Sequence, residues 1–412
     1  MIELAKARAE RLSASSGSRF FAVVALPLFA IYLVTASWTL PYHMDGLTNV
    51  FTASELAEHG DVLLEDHAVL ATPQYLTKIA WITPAGESVA AQYPPGAAAL
   101  AVPLYALWPD EPAPIRGIHV ATDLPPVEFP MPPLGPAAIT AAAAAATAIG
   151  LLGLAFRELV DRRIALCAAY VAGLGTGVWS VAADLLWQHG PAMLWIAAGT
   201  LLSAHHRQWS GLAFGAAILT RPHTAIVAAG NGLLQSIQER SIKPAVQIGI
   251  GAGLGLAGLV AFNAAVFGSP SITGGYSDVF ATRAARLDML EYFGNIALAL
   301  VHPFRGLLIY SWFLVLLIPG LPAAWRKAPA WVRGSAIGGL AYFLVQLKAN
   351  RYSGGDSFWG YRYPLEMLAA AAPLLLLSYT EWVRHQSETI RRIFLYSVIG
   401  SIVLTAAGAV VY

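Results

Sequence analysis

Long apolar runs separated by short polar turns recur from residue 20 to the end of the chain. They cover 20–40, 136–156, 164–183, 190–204, 209–220, 222–236, 244–267, 305–322, 331–347, 364–380 and 393–411. A hydrocarbon core of about 30 Å takes roughly 20 residues of helix to cross, so this pattern predicts an all-α, polytopic membrane protein with about 11 transmembrane helices. The runs 190–204, 209–220 and 222–236 are short for a full crossing. Between the first two runs the pattern changes. TNVFTASELAEHG (48–60) places apolar residues at helical spacing among polar ones and predicts an interfacial helix. YPPGAAALAVPLYALW (93–108) is broken by Pro94, Pro95 and Pro103 and is placed as an interfacial or half-inserted helix. Nine prolines in 109–136 predict an extended strap rather than a domain. No repeat is visible, so residues 1–412 are taken as a single transmembrane domain in which 41–135 form the first extracytoplasmic loop.

Composition narrows the class without changing it. Hydrophobic residues make up 57% of the chain and charged residues 12%, about half the charge that covers a soluble domain. The balance of 25 basic against 24 acidic residues gives no sign of nucleic-acid binding. The single cysteine, Cys167, excludes a disulfide framework and a cysteine-based metal site. The first run follows Lys6, Arg8, Arg11 and Arg19, is too long for a signal peptide and lacks its small-residue cleavage site, so an uncleaved helix with a cytoplasmic N-terminus is expected. That orientation puts 16 of the 25 basic residues in short inner connections such as RELVDRR, and 17 of the 24 acidic residues outside. The long loops 41–135, 268–304 and 348–363 then lie on the outer face, where the polar apparatus is expected.

Four clusters carry candidate chemistry. Asp45 in PYHMDG (41–46) is expected where the first helix leaves the bilayer; a partly buried carboxylate there is suited to accept a proton. Glu65, Asp66 and His67 adjoin in GDVLLEDHAVL, a set suited to a sugar or a divalent cation. No partner stands at metal-ligand spacing, so no metal or other cofactor is expected. Trp187, Gln188 and His189 in DLLWQHG offer a stacking face, an amide and a titratable ring beside a helix-breaking Gly-Pro. Arg221, Arg305, Arg351 and Arg362 form a row on the side that positive charge normally avoids, and a shared anionic ligand is the economical reason. The stretch RYSGGDSFWGYR (351–362) combines aromatics, including Trp359, with Asp356 and two arginines, just before a helix that carries Glu366. Such a mixture suits a carbohydrate or lipid-phosphate pocket.

Asp45, QYPPGAAALAVPLYAL, LLWQHGPAMLW, GLAFGAAILTRP, FGSPSITGGY, FRGLLIYSWFLVLLIPGL and GGDSFWGYRYPLEMLAAAAPLL occur in that order over nearly the whole chain. Together they resemble bacterial membrane glycosyltransferases of the GT-C superfamily, which use polyprenyl-phosphate-linked sugars. The resemblance implies an active site facing outward from the inner membrane, with Asp45 as general base. Members commonly carry a pair of acids there; here Met44 and Gly46 flank Asp45, and Glu65 or Asp66 is the candidate second acid. The soluble C-terminal domain of many members is not expected, since the last apolar run ends with the sequence. The implied reaction inverts the anomeric carbon and releases polyprenyl phosphate, with His189, Arg305 and Arg362 as phosphate ligands and Arg221 and Arg351 in reserve. Glu65, Asp66, His67, Gln92, Tyr93, Trp187, Gln188, Tyr276, Asp356 and Trp359 are the candidates for holding sugar or acceptor. Partners are a polyprenyl-phosphate sugar, a glycan, lipid or protein acceptor, and membrane lipids. The Ala-rich, Lys-poor composition suggests a GC-rich genome and a mannosyl or arabinofuranosyl donor on decaprenyl phosphate, for cell-envelope glycan synthesis. The alternative is a lipid-linked-sugar flippase or secondary transporter, which would place ionisable residues mid-span and break helices in both halves.

Overall fold

The computed structural model of the chain describes residues 2–38, 44–64, 81–109, 115–118, 127–276, 279–286, 288–355 and 358–411. The helices are α1 (Ile2–Thr35), α2 (Met44–Glu58), α3 (Gly96–Leu107), α4 (Gly135–Arg157), α5 (Arg162–Leu174), α6 (His189–Leu202), α7 (Arg207–Thr220) and α8 (Ala225–Glu239). They continue as α9 (Lys243–Phe267), α10 (Val279–Arg286), α11 (Met289–Val301), α12 (Leu307–Tyr310), α13 (Leu321–Lys327), α14 (Ala330–Ala349), α15 (Leu365–Glu381) and α16 (Glu388–Val411). Each apolar run of the sequence carries helical structure over most of its described length, and the chain is a multi-pass membrane protein. Four segments, Ser16–Thr35, α4, α9 and α16, are each long and apolar enough to cross a bilayer alone. Of these α4 is central, with 72% of its apolar window buried, against 28% for each of the other three. The remainder of those three faces outward with Leu26, Ile250, Leu254 and Val403 exposed, a surface suited to lipid rather than water.

Small residues let the helices approach closely. Packing between apolar helices in lipid gains nothing from excluding water, so contact area and short interhelical hydrogen bonds hold it together. Gly215 and Gly255 bring α7 and α9 so near that a Cβ on Gly255 would lie 2.2 Å from the Gly215 carbonyl oxygen. Asn231 of α8 donates to Ser335 Oγ of α14 at 2.6 Å, across the pair that Gly230 and Gly338 bring together. The connections α4–α5, α6–α7, α8–α9 and α15–α16 gather on one face. There His205 pairs with Glu158 at 2.9 Å, Arg207 with Glu239, and Lys327 with Glu381 at 2.6 Å. The opposite face carries α2, α3, the turn 183–188, the turn at Arg221, residues 268–276 and the loop 351–364. Helices α6, α7 and α8, of 14, 14 and 15 residues, span only about 21–23 Å at 1.5 Å per residue. They fall short of a full crossing, and their ends on the second face form the floor of a recess.

Several elements differ from the sequence pattern. The first helix ends at Thr35, and Asp45 opens a separate helix, α2, rather than ending the first. The stretch 48–60 is helical but has no free polar face: Thr48, Asn49, Thr52, Ser54 and Glu55 are buried along with Leu47, Val50 and Phe51. The run 164–183 is divided: α5 stops at Leu174 and a π-helical turn, Val178–Ala182, follows. Gly177 permits the break, since a Cβ there would fall 2.7 Å from the Tyr361 carbonyl oxygen. The run 305–322 is broken too, into α12, a 3-10 stretch Trp312–Gly320 containing Pro319, and α13. Within 41–135 there are two short antiparallel pairs, β1 (Ile82–Ala85) with β2 (Ser88–Ala91), and β3 (Ile115–Ile118) with β4 (Val127–Pro130). The second pair lies in the proline-rich stretch expected to be an irregular strap; Pro130, which has no N–H to donate, ends its strand.

Candidate active site

Asp45 sits in the first turn of α2, and α2 is fastened to the turn before α6. Gly46 faces Leu185 so closely that a Cβ would lie 2.3 Å from Leu185 Cδ2, and Asn49 Nδ2 donates to the Leu186 carbonyl at 2.8 Å. Asp45 Oδ2 accepts from Arg362 Nη1 at 2.7 Å, with the two side chains 29% and 10% exposed. The Tyr93 hydroxyl also bonds to Asp45. Burial first, and then the Asp45 charge, hold the Tyr93 hydroxyl well above its ordinary pKa, so it stays a proton donor to the carboxylate.

The guanidinium of Arg362 lies over three rings, Trp187 at 4.7 Å, Tyr363 at 5.2 Å and Phe358 at 5.6 Å. Gly354, at φ +70°, passes so close that a Cβ would sit 2.8 Å from Arg362 Nε. Arg362 Nε is buried and has no hydrogen-bond partner among the described residues, and Gln188 Nε2 is in the same condition. Tyr276 donates to Gln188 Oε1 at 3.4 Å and meets Tyr93 edge-on at 5.7 Å; burial pushes its hydroxyl up to about 12. Gly275 packs on the backbone of Gln92, which fixes Tyr276 against the β1–β2 hairpin.

Beneath the Trp187 and Tyr363 rings lies a second, largely buried layer. His189 Nδ1 and Glu366 Oε1 are 2.7 Å apart, and Arg221 Nε is 3.4 Å from the same carboxylate oxygen. Arg221 Nη1 lies 3.1 Å from His189 Nδ1, and Nη2 donates to Gln346 Oε1 at 3.3 Å. His223 stacks on Tyr342 with ring centres 4.5 Å apart and planes 7° from parallel. Trp187 and Tyr363 both approach His189, at 6.1 and 6.4 Å, and so separate the two layers while touching each. A charge at this depth is tolerated only when paired, and the Glu366–Arg221 pair meets that condition.

The structure thus brings together Asp45, Gln92, Tyr93, Trp187, Gln188, His189, Arg221, Tyr276 and Arg362. Arg305 borders them: its Nη1 donates to the Phe358 carbonyl at 2.7 Å and its guanidinium covers the Phe358 ring at 4.2 Å, so it holds the loop that carries Arg362. Arg351 is exposed on that loop. Trp359 is directed away, onto α16, where its indole N–H donates to the Leu404 carbonyl at 3.0 Å and the ring abuts Gly408. Glu65, Asp66, His67 and Asp356 lie outside the described residues. Among the described residues no three His, Cys, Asp or Glu side chains gather within metal-binding reach. Sequence reasoning noted Glu366 without assigning it a role and passed over Tyr342, Gln346, His223 and Tyr363. The available signal was polar residues in apolar helices, since a buried ionisable group needs a partner.

The sequence matches no protein-family model and no curated protein. Solved structures do match. ArnT from Cupriavidus metallidurans bound to undecaprenyl phosphate superposes with a TM-score of 0.56 at 15% identity, over 96% of this chain and 76% of that one. The apo state of ArnT gives 0.53 at 16%, over 94% and 63%, and the apo Archaeoglobus fulgidus oligosaccharyltransferase 0.55 at 12%, over 96% and 56%. The fold is the GT-C fold. This chain therefore spans about three-fifths of the length of the apo ArnT chain and nearly all of its own length falls within the shared frame.

Proposed function

We propose that the chain is an inverting membrane glycosyltransferase that moves a sugar from a polyprenyl-phosphate carrier to an acceptor hydroxyl. The observation that carries this reading is the Asp45–Arg362 pair at the top of the recess, roofed by aromatic rings and beside buried donors that have no partner among the described residues. Arg362 uses Nη1 on Asp45 and keeps a buried Nε–H for an anion. A phosphate that takes Arg362 releases the Asp45 carboxylate from that ion pair. Asp45 then receives the acceptor's proton as the acceptor oxygen bonds to the anomeric carbon and the bond from that carbon to the phosphate oxygen breaks. The lipid phosphate leaves as an anion against Arg362, with Arg305 and Arg351 on the same loop side. Tyr93 and Gln188 offer hydrogen bonds, and Trp187 a face, to the sugar. The GT-C fold, and a neighbour solved with undecaprenyl phosphate, support a lipid-phosphate donor. In this reading the recess faces outward from the bacterial inner membrane with the N-terminus cytoplasmic, and a decaprenyl-linked mannose or arabinofuranose is the first donor to try.

The test is purified protein with polyprenyl-phospho-sugars and a panel of acceptor hydroxyls, read as released polyprenyl phosphate. Asp45→Asn is expected to lose on the order of 10²–10⁴ in rate, as for a positioned general base, while still binding donor. Turnover near that of the unaltered protein would remove Asp45 from the chemistry.

A further inference from the structure

An apolar cavity lies away from this recess. A cavity of about 500 Å³ runs between α5, α15 and α16, walled by apolar side chains such as Phe313, Leu368, Leu376, Phe394 and Val398. It extends beside α5 from Arg163 to Thr176, just past the end of the helix, roughly 20 Å at 1.5 Å per residue. Its two ends differ. Thr176 lies beside Tyr361 under the recess, whereas Arg163 and Arg391 line the other end, at the opposite face of the bundle. Three described carboxylates on the same connections are engaged elsewhere. Asp161 caps α5 by accepting from the Arg163 and Ile164 backbone N–H groups, Glu158 pairs with His205, and Glu388 pairs with Arg392. Among the described residues neither Arg163 nor Arg391 has an ion-pair partner, and both are exposed.

We infer that this groove holds an anionic phospholipid, with an acyl chain in the apolar cavity and the phosphate between Arg163 and Arg391. An apolar slot of this length closed by two free arginines at one end complements one phosphate and one chain. The carrier lipid of the proposed reaction is the poorer fit. Its phosphate belongs at Arg362, on the other face, which would leave both arginines without an anion. The site stands whatever reaction the recess performs.

Native mass spectrometry of the full chain in mixed micelles tests this, with phosphatidylglycerol and phosphatidylcholine of identical acyl chains in equal amounts. The unaltered protein is expected to retain one phosphatidylglycerol in preference to phosphatidylcholine. Each arginine near a headgroup contributes about a fivefold preference, so Arg163→Gln with Arg391→Gln should reduce it roughly 30-fold. The Lys pair at the same positions should keep it. Cys167, which lines the cavity, gives a second variant: Cys167→Trp fills the slot and should release the lipid with both arginines present. Asp45→Asn should leave retention unchanged. Equal retention of the two lipids by the unaltered protein, or undiminished preference in the Gln pair, overturns the proposal. Displacement of phosphatidylglycerol by undecaprenyl phosphate that depends on Arg163 and Arg391 also overturns it, by giving the site to the carrier.

Discussion

Glu366 is a carboxylate with no exposed surface at the start of an apolar helix, and His189 and Arg221 hold it there. Removing one member of a buried pair leaves the other charge uncompensated, at a cost of about 3–5 kcal/mol, whereas replacing both is far milder. Glu366→Leu is therefore expected to lower the thermal midpoint strongly, and Glu366→Leu with Arg221→Met to recover most of it. Equal losses in the single and double variants would show that the pair is not coupled. Asp184 makes a pH prediction. Burial raises its carboxyl from 3.8 to about 7, against the opposing bonds from Ser37. Its folded pKa thus lies above the unfolded value, so its contribution to stability is complete below about pH 4 and is lost as pH rises through about 7. Thermal scans from pH 4 to 8 should show a fall with pH that Asp184→Asn flattens. At this scale the sequence disclosed which residues are unusual but not their partners. Asp45 and Glu366 stand out as acids beside apolar runs, while Arg362 and His189 lie 317 and 177 residues from them along the chain.

Among the elements, the loop 351–363 decides the shape of the recess. Its path turns on Gly354, Gly355 and Gly360, all at positive φ, and it is fixed by Arg305 at one point and by Trp359 on α16 at another. Gly354→Ala adds both backbone strain and a Cβ against Arg362, so it should displace the guanidinium from Asp45. Transfer activity is expected to fall well below that of the parent with little change in the thermal midpoint, because the loop is small beside the bundle. Unchanged activity would show that the Arg362 position is not critical. Elsewhere the glycines are structural: Gly255→Leu should push α9 from α7 and destabilise the bundle by about 1–3 kcal/mol or more, read from thermal unfolding. Helix existence was legible in the runs themselves, because hydrocarbon requires every backbone group to bond internally. The breaks in 164–183 and 305–322 were not, since Ser311 reaches the Gly175 carbonyl and Tyr361 only once the elements are packed.

For the whole molecule, the two faces make the topology testable. In a Cys167→Ser background, Ser269→Cys on the recess face is expected to react with an impermeant maleimide in intact cells. Ser241→Cys on the opposite face should react only after permeabilisation, and the reverse pattern would invert the proposed orientation. The sequence by itself determined that the chain is a helical multi-pass membrane protein, because hydrophobic run length and scarcity of charge have only one stable solution in lipid. It also marked the region of the recess, since charges in such a chain are few. Only the tertiary structure decided that Arg362 pairs with Asp45, that Arg221 and His189 lie one layer deeper on Glu366, and that Trp359 belongs to α16. Those contacts join positions far apart in the chain, and in side-chain packing the partner is set by where helices cross, which no local periodicity encodes.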